Sequence, residues 1–145
     1  MAKAYNDVGI ELRIKASSEQ KYPKNVLVEI KSTPQTGQAG GNLEVTTHSD
    51  ATKVYIPDRP DTGDMDYTYN YTETNLTAVK AICDNTEKDI LIKYPDGTGV
   101  EYKGICQTWR NATSVGAVLE CTLHTVPSAS PVDLTSSEVS GKITA

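Results

Sequence analysis

Alternating apolar and polar positions predict short strands along most of the chain, most clearly from residue 90 to residue 126. Ile90–Tyr94 and Val100–Ile105 both alternate, and Pro95-Asp96-Gly97-Thr98 between them has the composition of a tight turn. A third run, Val115–Val126, places five apolar residues on one face: Val115, Ala117, Leu119, Cys121 and Leu123. The pattern predicts an antiparallel meander with one apolar and one polar face.

Five further strands and one helix are predicted before the meander. The strand segments are residues 8–14, 26–31, 43–48, 53–56 and 65–72. Leu76, Val79 and Cys83 then recur at helical spacing after Thr74-Asn75, which suits a helix start, and the helix should end near Asp84-Asn85. Eight strands and one helix without an internal repeat indicate a mainly β protein. We expect an antiparallel sandwich or barrel with the helix packed on its side.

Two segments have compositions that cannot bury an apolar face. Residues 32–42 contain three glycines and no large apolar residue, so they predict a long hairpin loop. Residues 127–145 are polar with two prolines and predict a disordered or arm-like extension. The 145 residues are most simply one domain, residues 1–145, that carries these two extensions.

Composition narrows the class of protein further. The net charge of −5 does not favour a phosphate-gripping surface. The first fifteen residues lack the apolar segment of a signal peptide, and no run approaches membrane-spanning length, so we expect no membrane anchor. The sequons at Asn70, Asn75 and Asn111 are then chance occurrences. Cys106 and Cys121 lie on strands predicted to pair, and free thiols are favoured over a disulfide there.

Signatures of catalysis and of metal binding are missing from the sequence. His48 and His124 fall on the polar faces of predicted strands, away from any nucleophile or ligand motif. An acidic cluster surrounds Gly63 but lacks the spacing and closing glutamate of a calcium loop: Asp58, Asp61, Asp64 and Asp66. We therefore expect a protein that is not an enzyme and that uses no cofactor or metal.

Charged residues are distributed unevenly among the polar strand faces. The third, fifth and last strands show no lysine or arginine at their polar positions: Glu44, Thr46, His48, Asp66, Thr68, Asn70, Thr72, Glu120, Thr122 and His124. Basic residues occur on the first, sixth and seventh strands, at Arg13, Lys15, Lys88, Lys93 and Lys103, while the second strand is mixed. Chance and a functional requirement explain this distribution of charges equally well. The functional explanation is a surface that a polyanion passes without binding, because each basic contact to a phosphate steepens the salt slope by about 0.9.

Several short motifs follow one another in a characteristic order. They are Leu43-Glu44-Val45-Thr46-Thr47 after the Gly-rich loop, Asp61-x-Gly63-Asp64, Ile92-x-Tyr94-Pro95-Asp96-Gly97-Thr98, Tyr102-x-Gly104 and the run 115–126. In this order, with one helix before the sixth strand, residues 8–126 resemble the major tail tube protein of long-tailed (siphovirus-type) bacteriophages.

The resemblance implies a structural subunit of the virion tail, assembled in the bacterial host cytoplasm. Six protomers would join their sheets into one β-barrel, and stacked rings would conduct DNA during ejection. The partners would be further copies of the chain and the tape measure, tail terminator and distal tail proteins. The lumen-facing residues would be Glu44, Thr46, His48, Asp66, Thr68, Asn70, Glu120 and Thr122. The arms would contact neighbouring rings through Thr36, Gly37, Gln38, Gly40, Gly41, Val132 and Leu134.

Two alternatives remain open from the sequence. The same fold could form the inner tube of a contractile injection or type VI secretion machine, whose cargo is protein. Alternatively, Tyr67, Tyr69 and Tyr71 share one face of a strand and could form a platform for sugars in a carbohydrate-binding or adhesion β-sandwich. We expect these tyrosines to pack in the core or in a subunit interface instead.

Overall fold

The computed structural model describes residues 9–36, 41–58 and 63–144, which contain nine strands and two helices. The strands are β1 (Glu11–Ala16), β2 (Ile30–Ser32), β3 (Asn42–Glu44), β4 (Tyr55–Pro57), β5 (Met65–Asn70), β6 (Lys88–Lys93), β7 (Gly99–Arg110), β8 (Glu120–Pro127) and β9 (Val132–Leu134). The helices are α1 (Glu73–Ile82) and α2 (Ser136–Lys142). No helix in these ranges is long and apolar enough to cross a membrane.

Most strands belong to one antiparallel sheet with the order β1-β6-β7-β8-β5-β2, while β3 and β4 form a separate two-stranded sheet. β8 pairs with the second half of β7, and β9 pairs with Gly99–Glu101 at its start. β8 and β9 therefore follow one another along the same edge of β7. This architecture confirms the prediction of a mainly β, antiparallel fold with a helix on its side.

The larger core lies on one face of the sheet, where the apolar residues alternate as the sequence predicts. Its buried members include Leu12, Ile14, Val28, Met65, Tyr67, Tyr69, Leu76, Val79, Ile90, Ile92, Tyr102, Cys106, Cys121 and Leu123. The helix α1 contributes Leu76 and Val79 and begins earlier than predicted. Thr72 is its N-cap, with the hydroxyl accepting a hydrogen bond from the Asn75 amide at 3.1 Å. The helix can start there because Thr72 still has the extended backbone of the preceding strand.

A smaller core lies on the opposite face and is formed by Tyr22, Leu91, Leu134 and Val139. The last two residues belong to β9 and α2, in the segment that was expected to be an extended arm. Thr135 caps α2 by accepting a hydrogen bond from the Glu138 amide. Gly99 allows the close approach of α2, since a Cβ there would lie 3.0 Å from the Val139 side chain. The C-terminal segment is thus part of the folded body.

The turn at residues 95–98 is confirmed, but the strands that follow it differ from the prediction. The Tyr94 amide bonds to the Thr98 carbonyl at 2.8 Å, and Gly97 has a φ of +89°. β7 continues to Arg110 rather than ending at Ile105. β8 begins at Glu120 rather than at Val115, so residues 111–119 form a loop between the two strands.

The cysteines are free, as expected. Cys106 lies opposite Thr125, and Cys121 lies opposite Arg110, four positions away along β8. At about 3.3 Å per residue the two cysteines are about 13 Å apart along the strands, which is too far for a disulfide.

The expected hairpin loop at residues 32–42 has a different connectivity. β2 pairs with β5, and β3 pairs with β4, so the segment joins two sheets instead of closing a hairpin. Residues 37–40 of this segment lie outside the described residues. The second and third strands are also shorter than predicted, at three residues each.

Candidate functional site

Five of the predicted lumen-facing residues lie on one face of the sheet. β5 and β8 set three pairs directly opposite each other: Asp66 with His124, Thr68 with Thr122, and Asn70 with Glu120. Because side chains alternate along a strand, this face is the reverse of the one that buries Tyr67 and Tyr69. We call the surface formed by Asp66, Thr68, Asn70, Gln107, Trp109, Glu120, Thr122 and His124 the polar face.

Neutral hydroxyl and amide groups on the polar face bond to one another or to nearby loops. Ser32 at the end of β2 donates to the Thr68 hydroxyl at 2.9 Å. Thr122 donates to the Asn111 side-chain oxygen at 2.5 Å. These contacts hold the threonine side chains in place across three strands.

His124 lies between two carboxylates. Its Nδ1 is 2.5 Å from Asp66 Oδ1, and its Nε2 is 3.6 Å from Asp64 Oδ2. The Trp109 ring packs against the imidazole with centroids 5.4 Å apart. Both ring nitrogens thus face carboxylates and neither faces a hydroxyl or thiol that it could activate. Within the described residues no group of three or more His, Cys, Asp or Glu side chains could hold a metal.

Sequence reasoning missed two members of the polar face, Gln107 and Trp109. They lie on β7 opposite His124 and Thr122, in a stretch that was expected to be a loop. The signal was present, because the alternation that starts at Tyr102 continues through Cys106 to Thr108 and leaves Gln107 and Trp109 on the other face.

The basic residues of β1 are engaged by internal partners. Lys15 is buried, with its ammonium 2.5 Å from Asp89 and 2.8 Å from the Glu19 carbonyl. Arg13 is also buried and donates to Glu11 and to the carbonyls of Pro23 and Lys24. One lysine does reach the polar face: Lys31 is 3.3 Å from Glu120, which offsets its charge.

The other three predicted lumen residues do not lie on the polar face: Glu44 is the last residue of β3, and Thr46 and His48 lie in the connection between β3 and β4. Every residue from 41 to 58 is exposed. The Thr46 hydroxyl accepts a hydrogen bond from the Val54 amide, so it stabilises this small sheet.

The predicted inter-ring residues are in different surroundings. Gly37, Gln38 and Gly40 lie outside the described residues. Thr36 hydrogen-bonds to the Tyr94 hydroxyl. Burial raises the pKa of Tyr94 above the ordinary tyrosine value, and this hydrogen bond opposes the rise in part. Gly41 and Val132 are exposed, whereas Leu134 is buried in the smaller core.

The tyrosine platform is not available to a sugar. Tyr67 and Tyr69 are fully buried, and Tyr71 lies under the Arg110 guanidinium at 5.1 Å from its ring centroid. β5 therefore presents no exposed row of tyrosines that could support a carbohydrate-binding surface.

No protein-family model and no curated protein matches the sequence, but solved structures share the fold. One is a chain from the tail of an empty GTA particle with C6 symmetry, with a TM-score of 0.66 and 12% identity over 91% of this chain and 99% of that chain. Another is a chain from the six-fold symmetrised baseplate of the anti-feeding prophage (AFP), with a TM-score of 0.60 and 8% identity over 94% of this chain and 99% of that chain. At such low identity, the likeness is one of fold.

Proposed function

We propose that this protein is a structural subunit of a phage tail tube. Six copies form a ring, rings stack into a tube, and the polar face lines the bore through which DNA passes. The observation that carries the proposal is the polar face itself, where three cross-strand pairs present carboxylates, hydroxyls and amides, and where Lys31 is offset by Glu120. The likeness in fold to chains from two six-fold-symmetric tail and baseplate assemblies supports the same reading.

The edges of the sheet favour ring closure. Within the described residues β1 pairs only with β6, and β2 pairs only with β5, so each has one unpaired side. An unpaired edge is a template for another strand, and cyclic association of identical subunits removes such edges. We therefore place the ring contacts at β1 and β2.

The polar face suits the passage of a polyanion. Asp64 and Asp66 repel phosphates, Glu120 offsets Lys31, and the threonines offer only neutral groups. A basic bore would bind DNA through counterion release and would slow its transit. The protein therefore acts without catalysis, and its partners are further copies and the tape measure, tail terminator and distal tail proteins that complete a tail.

The inner tube of a contractile injection machine is the second candidate, and the likeness to an AFP baseplate chain favours it. Its cargo would be protein. A tape-measure gene beside this gene, without a sheath gene, supports the phage tail, whereas an adjacent sheath gene supports the contractile machine.

Concentration-dependent assembly of the purified protein tests the proposal. Negative-stain microscopy and analytical ultracentrifugation should show six-membered rings and tubes as the concentration is raised. A protein that stays monomeric at every concentration would contradict it.

A further inference from the structure

Two cysteines meet where the end of α1 packs against β7. Cys83 is the C-cap of α1 and is half-buried, with its amide bonded to the Val79 carbonyl at 3.0 Å. Cys106 faces the larger core from the middle of β7 and is 1% exposed. The Cys83 thiol donates a hydrogen bond to the Cys106 sulfur, so the two sulfur atoms are direct neighbours across the helix and the sheet.

A buried lysine lies beside this pair of thiols. Lys88 on β6 is directly opposite Gly104, so its side chain is on the same face of the sheet as Cys106, two positions further along β7. The Lys88 ammonium is 3.2 Å from the carboxylate of Asp84, which follows Cys83 in the chain. The hydrogen bond from Cys83 and the Lys88 ammonium lower the pKa of Cys106, whereas the same hydrogen bond and burial raise the pKa of Cys83. Cys106 is thus the sulfur that ionises, while Cys83 keeps its proton.

Cys121 does not belong to this pair. Its thiol is hydrogen-bonded to Tyr69, and its position along β8 keeps it about 13 Å from Cys106.

The pair can be reached by a small molecule, and one of its members can move. A cleft of about 330 Å³ lies between β1 and the last turn of α1, and its walls include Lys88 and Ile82, the residue before Cys83. Cys83 lies just beyond the last helical turn, where helices fray. Its sulfur can therefore approach that of Cys106 without a change in the strand that carries Cys106.

We propose that Cys83 and Cys106 are an oxidative modification site, at which a hydroperoxide converts the two thiols into a disulfide between α1 and β7. The Cys106 thiolate attacks one oxygen of hydrogen peroxide, the O–O bond breaks, and the departing hydroxide takes up the proton that Cys106 released and leaves as water. Cys106 is then a sulfenic acid. The Cys83 sulfur attacks the Cys106 sulfur, the S–O bond breaks, and hydroxide leaves with the Cys83 proton as a second water. The two sulfurs together give two electrons to the peroxide.

The new bond changes the stability of the chain. It ties the end of the helix to a central strand and restricts the unfolded chain, so the oxidised protein should resist unfolding better than the reduced protein. This inference concerns a single chain and does not rest on the proposed function.

Treatment of the purified, reduced protein with hydrogen peroxide tests the proposal. The intact mass should fall by two hydrogen atoms, and peptide mapping should show Cys83 joined to Cys106. The urea concentration at the midpoint of unfolding should rise, and dithiothreitol should reverse each change. Cys121→Ala is the matched control and should form the same bond.

Three variants separate the roles of the side chains. In Cys83→Ala no second thiol is present, so Cys106 should stop at the sulfenic acid, which dimedone labels. Cys106→Ala lacks the ionised sulfur and should be labelled about tenfold more slowly. Lys88→Met keeps both thiols, and its disulfide should form several-fold more slowly, because the ammonium no longer favours the thiolate.

The inference is wrong if the unsubstituted protein gains oxygen atoms without losing hydrogen, or if Cys121 forms the bond instead. Equal rates for Lys88→Met and the unsubstituted protein would overturn the assignment of Cys106 as the attacking sulfur. None of these measurements depends on whether the protein forms rings, so failure of assembly would contradict the proposed function alone.

Discussion

The Tyr67 hydroxyl lies 2.6 Å from the Tyr102 hydroxyl inside the larger core. Tyr102 is in turn 2.8 Å from the Thr125 hydroxyl, which donates to the Met65 carbonyl at 2.6 Å. Because Thr125 has only one proton and gives it to the carbonyl, Tyr102 must donate to Thr125, and Tyr67 must donate to Tyr102. The hydrogen bonds thus run in one direction, from Tyr67 on β5 through Tyr102 on β7 to Thr125 on β8. Thr125 accepts from Tyr102 and donates to the Met65 carbonyl.

Thr125→Val should destabilise the protein more than Tyr67→Phe. Valine has nearly the same shape but leaves the Tyr102 donor buried without its acceptor and removes the bond to the Met65 carbonyl, which together cost about 2–3 kcal/mol. Phenylalanine at position 67 removes a donor at the end of the chain and leaves only an acceptor site on Tyr102 empty, which costs about 1 kcal/mol. Urea denaturation of both variants measures the difference, and equal losses would show that the bonds run in the other direction.

Stability should fall as the pH rises from about 10 to about 12. Burial raises the pKa of Tyr102, and likewise of Tyr69, to about 12, and it also raises the pKa of Tyr22 and Tyr67 above the ordinary tyrosine value. In this window the unfolded chain loses tyrosine protons that the folded chain keeps, so the stabilisation that is fully present below pH 10 is lost. Chemical denaturation at a series of pH values checks this. A flat stability across the window would contradict the burial of these hydroxyls.

Val139→Ala should lower the free energy of unfolding by about 2 kcal/mol, because Val139 is fully buried against Tyr22 and Leu91. Val132→Ala, on the exposed side of β9, is the matched control and should change stability by less than about 0.5 kcal/mol. Thermal denaturation of the two variants compares them. If both were neutral, the C-terminal segment would behave as the free arm that its composition suggested.

Lys15→Met should cost about 3 kcal/mol, because the buried Asp89 carboxylate then keeps only the exposed Lys103, at 4.0 Å, as a cationic partner. Adding Asp89→Leu to the same chain should recover part of that loss, since the weakly compensated buried charge is then gone. Lys80→Met on the exposed surface of α1 is the control for loss of a lysine. A double variant that is no more stable than Lys15→Met alone would show that packing, and not charge, causes the loss.

Thr68→Lys should leave rings and tubes intact but make them retain DNA. If the polar face lines the bore, each lysine that contacts a phosphate steepens the salt dependence of binding by about 0.9. Thr77→Lys adds the same charge on the exposed surface of α1 and should have a smaller effect. Cosedimentation of labelled DNA with tubes at several salt concentrations measures both. Equal retention by the two variants would contradict the assignment of the bore.

Periodicity was sufficient for the elements that bury one face. The strand around Tyr67 alternates over its whole length, and the turn at Gly97 has its residues fixed by backbone geometry, so these elements were predicted from local sequence. The strand around Ile92 was predicted as well, but it is buried on both faces, because Leu91 joins the smaller core. The cross-strand pairs of β5 and β8 follow from the same alternation. Six of the eight residues of the polar face were therefore accessible from sequence.

The remaining features depend on contacts between distant parts of the chain. Val139 and Leu134 are isolated apolar residues in a polar segment, and they become core residues only because Tyr22 and Leu91 meet them. Lys15 looks like a solvated residue until Asp89, 74 positions later, is brought beside it. Likewise, β3 and β4 form their own small sheet and do not extend the polar face, because β2 pairs with β5. No local pattern specifies that partner.

The backbone hydrogen bonds between Tyr22 and the C-terminal segment have a consequence for folding during synthesis. The Tyr22 amide bonds to the Lys142 carbonyl, and the Thr144 amide bonds to the Tyr22 carbonyl, so Tyr22 is fixed by residues that are translated about 120 positions later. While residues 134–144 are still inside the ribosome, the nascent chain cannot complete the smaller core that Tyr22 and Leu91 form with Leu134 and Val139.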